Sequence, residues 1–124
     1  MRKLLLVFLI ALIGLTGCGK SSEPKTEKKV RDEIYNIAES VVNITEHYLD
    51  MDTTLEEASK RVKNLNKDFK KIDPTSFNND EESTGKYIDL IDYALKSLQS
   101  PYSTVSDAWI KDLLDTLKEF SGVE

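Results

Sequence analysis

The sequence predicts an all-α fold: an antiparallel up-and-down helical bundle of about four helices, behind a signal peptide and a short tether. Three observations predict it. From Val30 to Ile72 the apolar residues recur at alternating spacings of four and three, the a/d spacing of packed helices. No stretch alternates apolar and polar residues with period two over the length of a strand. Start and stop signals punctuate the chain at Thr53-Thr54, Asp73-Pro74, Ser100-Pro101 and Gly122.

The first stripe runs Val30, Ile34, Ile37, Val41, Ile44, Tyr48, Met51, Leu55, Ala58, Val62, Leu65, Phe69, Ile72. Taken literally it is one long helix over 27–72. Thr53 with Glu56, or Thr54 with Glu57, forms a capping box in the middle, and paired threonines are poor interior helix formers. Two helices, about 27–51 and 54–72, folded as a hairpin, are therefore expected. On the first, Tyr35, Ala38, Val42 and Leu49 widen the apolar face, which predicts the innermost element. The second has a narrow stripe and belongs at the periphery. Asp73-Pro74 ends it, because the residue before proline avoids the α region.

Thr75 to Asn79 then reads as a loop, and Asp80 or a neighbour caps a third helix with Glu81 and Glu82 in its first turn. Its stripe is Tyr87, Ile88, Ile91, Ala94, Leu95 and Leu98, with Gly85 a weak point near the start. Gln99 to Tyr102 breaks it. Ser103 or Thr104 caps a last helix whose apolar face is Trp109, Ile110, Leu113, Leu114, Leu117 and Phe120, and Gly122 ends it. Short connections make this an up-and-down bundle over 29–124.

The N-terminus follows a different logic. Leu4 to Leu15 is an unbroken run of twelve apolar residues or Gly behind Arg2 and Lys3. That falls short of the roughly 20 residues a spanning helix needs, and it has the layout of a secretory signal over 1–17. Gly19 to Lys28 is polar, holds Pro24 and two serines, and lacks periodicity, so 18–28 reads as a flexible tether. Such a tether reaches at most roughly 35 Å. The 124-residue chain has a net charge of −5; without residues 1–17, 15 Lys+Arg face 22 Asp+Glu. Nucleic-acid binders are normally basic, so no nucleic acid is expected as a partner.

Cys18 is the only cysteine, so the chain forms no intramolecular disulfide. A lone thiol in an exported chain calls for a modification. Leu15-Thr16-Gly17-Cys18 resembles the lipobox of bacterial lipoproteins, whose cysteine receives a diacylglycerol before the signal peptide is cut in front of it. The resemblance covers residues 1–18. It implies an acylated, palmitate-type N-terminus at Cys18 and a lipid-anchored protein on the extracytoplasmic side of the cell membrane. Its first partner is then the bilayer itself. Fourteen Lys against three Arg give the chain the look of lipoproteins from low-GC Gram-positive bacteria.

No constellation for catalysis stands out. His47 is the only histidine, and with Asp50 one turn on it does not approach the roughly four ligands of a zinc site. Asp89 with Asp92, and Asp112, Asp115 and Glu119, are carboxylates at helical spacing that alternate with apolar positions and are expected to face water. Neither a metal nor a cofactor is expected, and the chain reads as no enzyme.

Charge says more. Residues 73–124 hold 4 basic and 11 acidic side chains, whereas Lys60, Lys63, Lys67, Lys70 and Lys71 gather on one side of the second helix. Lys60, Lys63, Lys67 and Lys70, with Tyr93 and Trp109, are the candidate partner-binding residues, suited to an anionic partner or to headgroups. The expected function is a non-enzymatic protein-interaction module whose partner is a membrane or envelope protein. In size, lipobox and helical content the chain resembles the exclusion or immunity-type lipoproteins of mobile elements. The alternative is an accessory factor or enzyme of cell-envelope polymer metabolism.

Overall fold

A computed structural model describes residues 29–124; the expected signal peptide, tether and lipidation site Cys18 lie outside the described residues. The described residues form four α-helices, one short 3-10 turn and no strand: α1 (Asp32–Leu49), α2 (Leu55–Phe69), the turn Pro74–Ser76, α3 (Asn79–Leu98) and α4 (Asp107–Ser121). The fold is the expected all-α bundle. The break near Thr53 makes a hairpin, because the Thr54 side chain accepts the Glu57 N–H and starts α2. Other boundaries move. Of Asp80 and its neighbours it is Asn78 that caps α3, forming a full capping box with Glu81. Ser106, not Ser103 or Thr104, caps α4. Gly122 ends α4 in the left-handed conformation, as expected.

Sequential helices pack side by side, α4 closes against α1, and a lighter contact joins α1 to α3 across the diagonal. The core is apolar: Ile34, Val41, Val42, Val62, Ile88, Ile91, Leu95, Ile110 and Leu117 are fully buried. The expectation that α1 alone is innermost is corrected, since α3 also touches all three other helices. Its Ile88, Ile91, Ala94 and Leu95 are as completely enclosed as any side chain of α1. α2 is peripheral, as its narrow stripe required. Its seam with α3 is partly polar: buried Asn66 donates through Nδ2 to Asp89 Oδ1 (2.8 Å) and Asp92 Oδ2 (3.0 Å), and Gln99 Nε2 donates to Ser59 Oγ (2.9 Å).

The alternating helix directions give the bundle two unlike ends. Residues 29–31, the α2–α3 connection and the C-terminus meet at one end, where Lys29 Nζ donates to the Glu119 carbonyl (2.8 Å) and Asn78 Nδ2 to the Lys29 carbonyl (3.2 Å). The α1–α2 and α3–α4 connections form the other.

Gly85 is not a weak point but a slot. A Cβ at this position would lie 2.5 Å from Phe69 Cε1 and 2.7 Å from Phe69 Cζ. Phe69 is buried and packs against Phe77, with ring centroids 5.3 Å apart, so its ring can give way only by disturbing that contact. Gly85→Ala is therefore expected to destabilise the bundle by about 1–3 kcal/mol through overpacking, although alanine gains about 1 kcal/mol in helix propensity. Urea unfolding of the two proteins measures the balance; a variant at least as stable as the parent would show that the slot is not needed.

Candidate functional site

The candidate residues occupy three helices and do not converge. Lys60, Lys63, Lys67 and Lys70 follow one another along one flank of α2, all exposed. Lys70 Nζ lies 3.1 Å from Asp89 Oδ1, so this lysine is engaged with α3 rather than held out for a partner. Tyr93, on α3, is exposed. Trp109, near the start of α4, is half-buried and packs against the core. Asp89 and Asp92 were expected merely to face water. Asp89 is exposed and Asp92 half-buried, but both also accept from the Asn66 amide, and that bond, with the neighbouring Lys70 ammonium, holds the Asp89 carboxyl below the usual carboxylate range.

The remaining polar groups with structural consequence lie at the two ends. At the end where the described chain begins, Glu81 is 3% exposed and accepts four hydrogen bonds. Arg31 N (2.9 Å) and Nε (2.8 Å) donate to its Oε2, and Arg31 Nη2 (2.9 Å) and Asn78 N (2.9 Å) donate to its Oε1. Arg31 also donates through Nη1 to Ser76 Oγ (3.1 Å) and through Nη2 to the Ser76 carbonyl (2.7 Å). Its guanidinium sits 5.7 Å from the centroid of the Phe77 ring. Arg31 is the residue before α1 and has no side-chain cap of its own. One buried carboxylate thus closes the α3 capping box and holds the start of α1 at once.

Sequence reasoning placed Glu81 in a first turn and missed the ion pair. The residues are 50 apart, and helical spacing says nothing about contacts between helices. The Asn78-x-x-Glu81 box was the signal that could have found its capping half.

At the opposite end, α1 stops in a Schellman motif: Met51 N donates to the Tyr48 carbonyl (3.0 Å) and Asp52 N to the His47 carbonyl (2.8 Å). Met51 stands in the left-handed region, φ 66°, where glycine is usual, and is 91% exposed. It does not continue the apolar stripe of α1, as its spacing had predicted. Tyr102, in the α3–α4 connection, is 90% exposed. Beneath them the half-buried Tyr48 phenol faces the Asp107 carboxylate, and burial followed by that negative charge raises the Tyr48 pKa. Beside them, between α1 and α4, opens a cleft of about 370 Å³ lined by Glu46, Leu49, Asp50, Lys111, Leu114 and Asp115. Lys118 Nζ, 2.6 Å from Glu46 Oε2, ties the two helices below it.

Among the described residues no group of three His, Cys, Asp or Glu side chains converges as a metal site, and no helix is long and apolar enough to cross a membrane. His47 Nδ1 lies 4.0 Å from Asp52 Oδ2, with both side chains exposed. In comparisons with protein-family models, curated proteins and solved structures, the chain matches none.

The Arg31 hydrogen bonds are the main reason the Glu81 carboxyl falls from 4.5 to about 2. A depressed folded-state pKa contributes stability that is complete above the unfolded value and is lost as pH falls through the folded one. The bundle should therefore weaken as pH drops from 4.5 towards about 2. Glu81→Gln should cost about 2–3 kcal/mol at neutral pH and flatten the acid limb. Melting temperatures of both proteins across that window check this; parallel acid limbs would contradict it.

Proposed function

We propose that this chain is a lipid-anchored, non-enzymatic interaction module, holding a four-helix bundle at the outer face of the cell membrane to engage another membrane or envelope protein. The observation that carries the reading is Leu15-Thr16-Gly17-Cys18 directly behind a twelve-residue apolar run. Two acyl chains on Cys18 bury enough methylenes, at about 0.8 kcal/mol each, for stable anchoring. The first helix begins at Asp32, so the bundle stands near the lipid surface with the Arg31–Glu81 end towards it.

The packing agrees with this role. The interior is filled by side chains, and the groups that vary in charge and exposure lie on outer faces. The basic flank at Lys60, Lys63 and Lys67 runs along the side of the bundle, where it would meet an anionic partner surface or headgroups. For envelope chemistry the cleft between α1 and α4 is the place to look. General acid–base work needs carboxylates in unlike, partly buried environments; here Asp50 and Asp115 are both exposed, and the half-buried Glu46 is engaged by the Lys118 ammonium. The interaction reading is therefore preferred.

Cys18→Ala should move the protein out of the membrane fraction or leave an uncut precursor; a variant that still fractionates as mature, membrane-held protein would contradict the anchor. Reversing Lys60, Lys63 and Lys67 to Glu should change stability by no more than about 0.5 kcal/mol, since all three lie off the buried face. The same triple variant should lose partner engagement, and salt should mimic the loss, because screening acts within about 10 Å at 0.1 M. Full engagement by the triple variant would leave these lysines as a solvated flank.

A further inference from the structure

We propose that the end of the bundle opposite the N-terminus is a docking tip, built around Met51 and Tyr102, for a cationic amphipathic segment of a partner protein. The inference rests on the reading of the chain as an interaction module and adds where the contact is made and with what chemistry.

Three independent features coincide there. The first is apolar exposure. Of the three large hydrophobic side chains that stand exposed among the described residues, Met51 and Tyr102 are both about nine-tenths open and come from the two connections that form this end. The second is backbone cost. Met51 occupies the left-handed C′ position of a Schellman motif, a site that glycine fills without steric penalty and methionine does not. The side chain contacts no core in return. A strained, solvent-facing methionine contributes nothing to folding that glycine would not supply better, so its use lies outside the fold. Methionine also adapts readily to varied apolar surfaces.

The third feature is charge, and it names the occupant. There is no Lys or Arg between Arg31 and Lys60, nor between Lys96 and Lys111. Around the tip stand Asp50, Asp52, Glu56, Glu57 and Asp107. The two connections that carry the exposed hydrophobes thus hold carboxylates and no lysine or arginine, and Lys111 of the adjoining cleft is outnumbered there by Glu46, Asp50 and Asp115. That field repels anionic headgroups and attracts a segment carrying lysine or arginine beside apolar residues. The cleft lined by Leu49 and Leu114, with Glu46, Asp50, Asp115 and Lys111 at its walls, begins at Asp50 beside Met51 and offers room for one apolar side chain of such a segment. The tip is opposite in charge to the α2 flank, so the two surfaces are separable by experiment.

Met1 and Met51 are the only methionines, and cleavage before Cys18 leaves Met51 as a single reporter. The test uses the mature lipidated protein in zwitterionic micelles, labelled with ¹³C at the methionine methyl. The probe is a synthetic helical peptide of leucine and lysine. Saturable movement of the Met51 resonance is expected, with none from the same peptide carrying glutamate for lysine. Tyr102→Ala should weaken binding about tenfold or more. Met51→Gly, followed through the intrinsic fluorescence of Trp109, should do likewise while leaving the melting temperature unchanged or raised.

Unaltered affinity in both variants would overturn the tip, as would a Met51 shift driven by phosphatidylglycerol vesicles instead of the peptide. Loss of peptide binding in the Lys60/Lys63/Lys67→Glu variant with the tip variants unaffected would also overturn it, and would leave the interaction module standing. A Cys18→Ala protein that remains membrane-held as mature protein would instead overturn the anchoring reading and not the tip.

Discussion

The Arg31–Glu81 pair is the contact on which the rest of the structure depends. Burying a carboxylate is costly unless its lone pairs are filled and a cation faces it. Glu81 meets both conditions with four donors, three of them from Arg31. Because Asn78 supplies the fourth, the same carboxylate fixes where α3 begins. Arg31 in turn lies over Phe77, Phe77 packs on Phe69, and Phe69 fills the slot left by Gly85. A single chain of contacts thus runs from the residue before α1, through the α2–α3 connection and the end of α2, into the first turns of α3. Breaking it at the carboxylate leaves the Arg31 guanidinium and the α3 capping box without their common partner, and loosens the guanidinium that lies over Phe77.

This arrangement makes the two ends mechanically different. The end where the described chain begins is tied by ion pair, capping box and aromatic stack. The far end is tied lightly, by Gln99 to Ser59 and Tyr48 to Asp107, and leaves Met51 and Tyr102 in solvent. On the anchoring reading the clasp sits where the tether arrives, so a pull from the membrane acts on the best-fastened part of the molecule. The freer end then projects outward. Loops held by few buried contacts adapt to a partner at lower cost than helices locked in a core.

Much of the fold was legible because it is local. Alternating three and four spacings gave α1 and α2, the threonine pair gave the hairpin, and the Gly122 C-cap gave the last boundary. What stayed hidden is what depends on neighbours from another helix. Gly85 reads as a helix-weakening residue until Phe69 is seen across from it. Asp89 and Asp92 read as solvated, and nothing on their own helix reveals the Asn66 amide that also reaches them. Met51 continues the period of the stripe, yet the helix ends two residues before it and turns the side chain outward. Of the candidate site, the sequence placed Lys60, Lys63, Lys67 and Tyr93 on exposed faces and Trp109 at a core edge. It could not show that faces on three different helices fail to converge, nor that Lys70 is taken up by Asp89.

The most direct test of the central claim is a double-mutant cycle on Arg31 and Glu81, read by urea unfolding. If one shared contact holds the anchored end together, Arg31→Met, Glu81→Gln and the double variant should lose nearly the same stability, so that the second substitution adds little to the first. Two losses that simply add would show that the residues act separately, and the account of a single clasp uniting α1, the turn and α3 would be wrong.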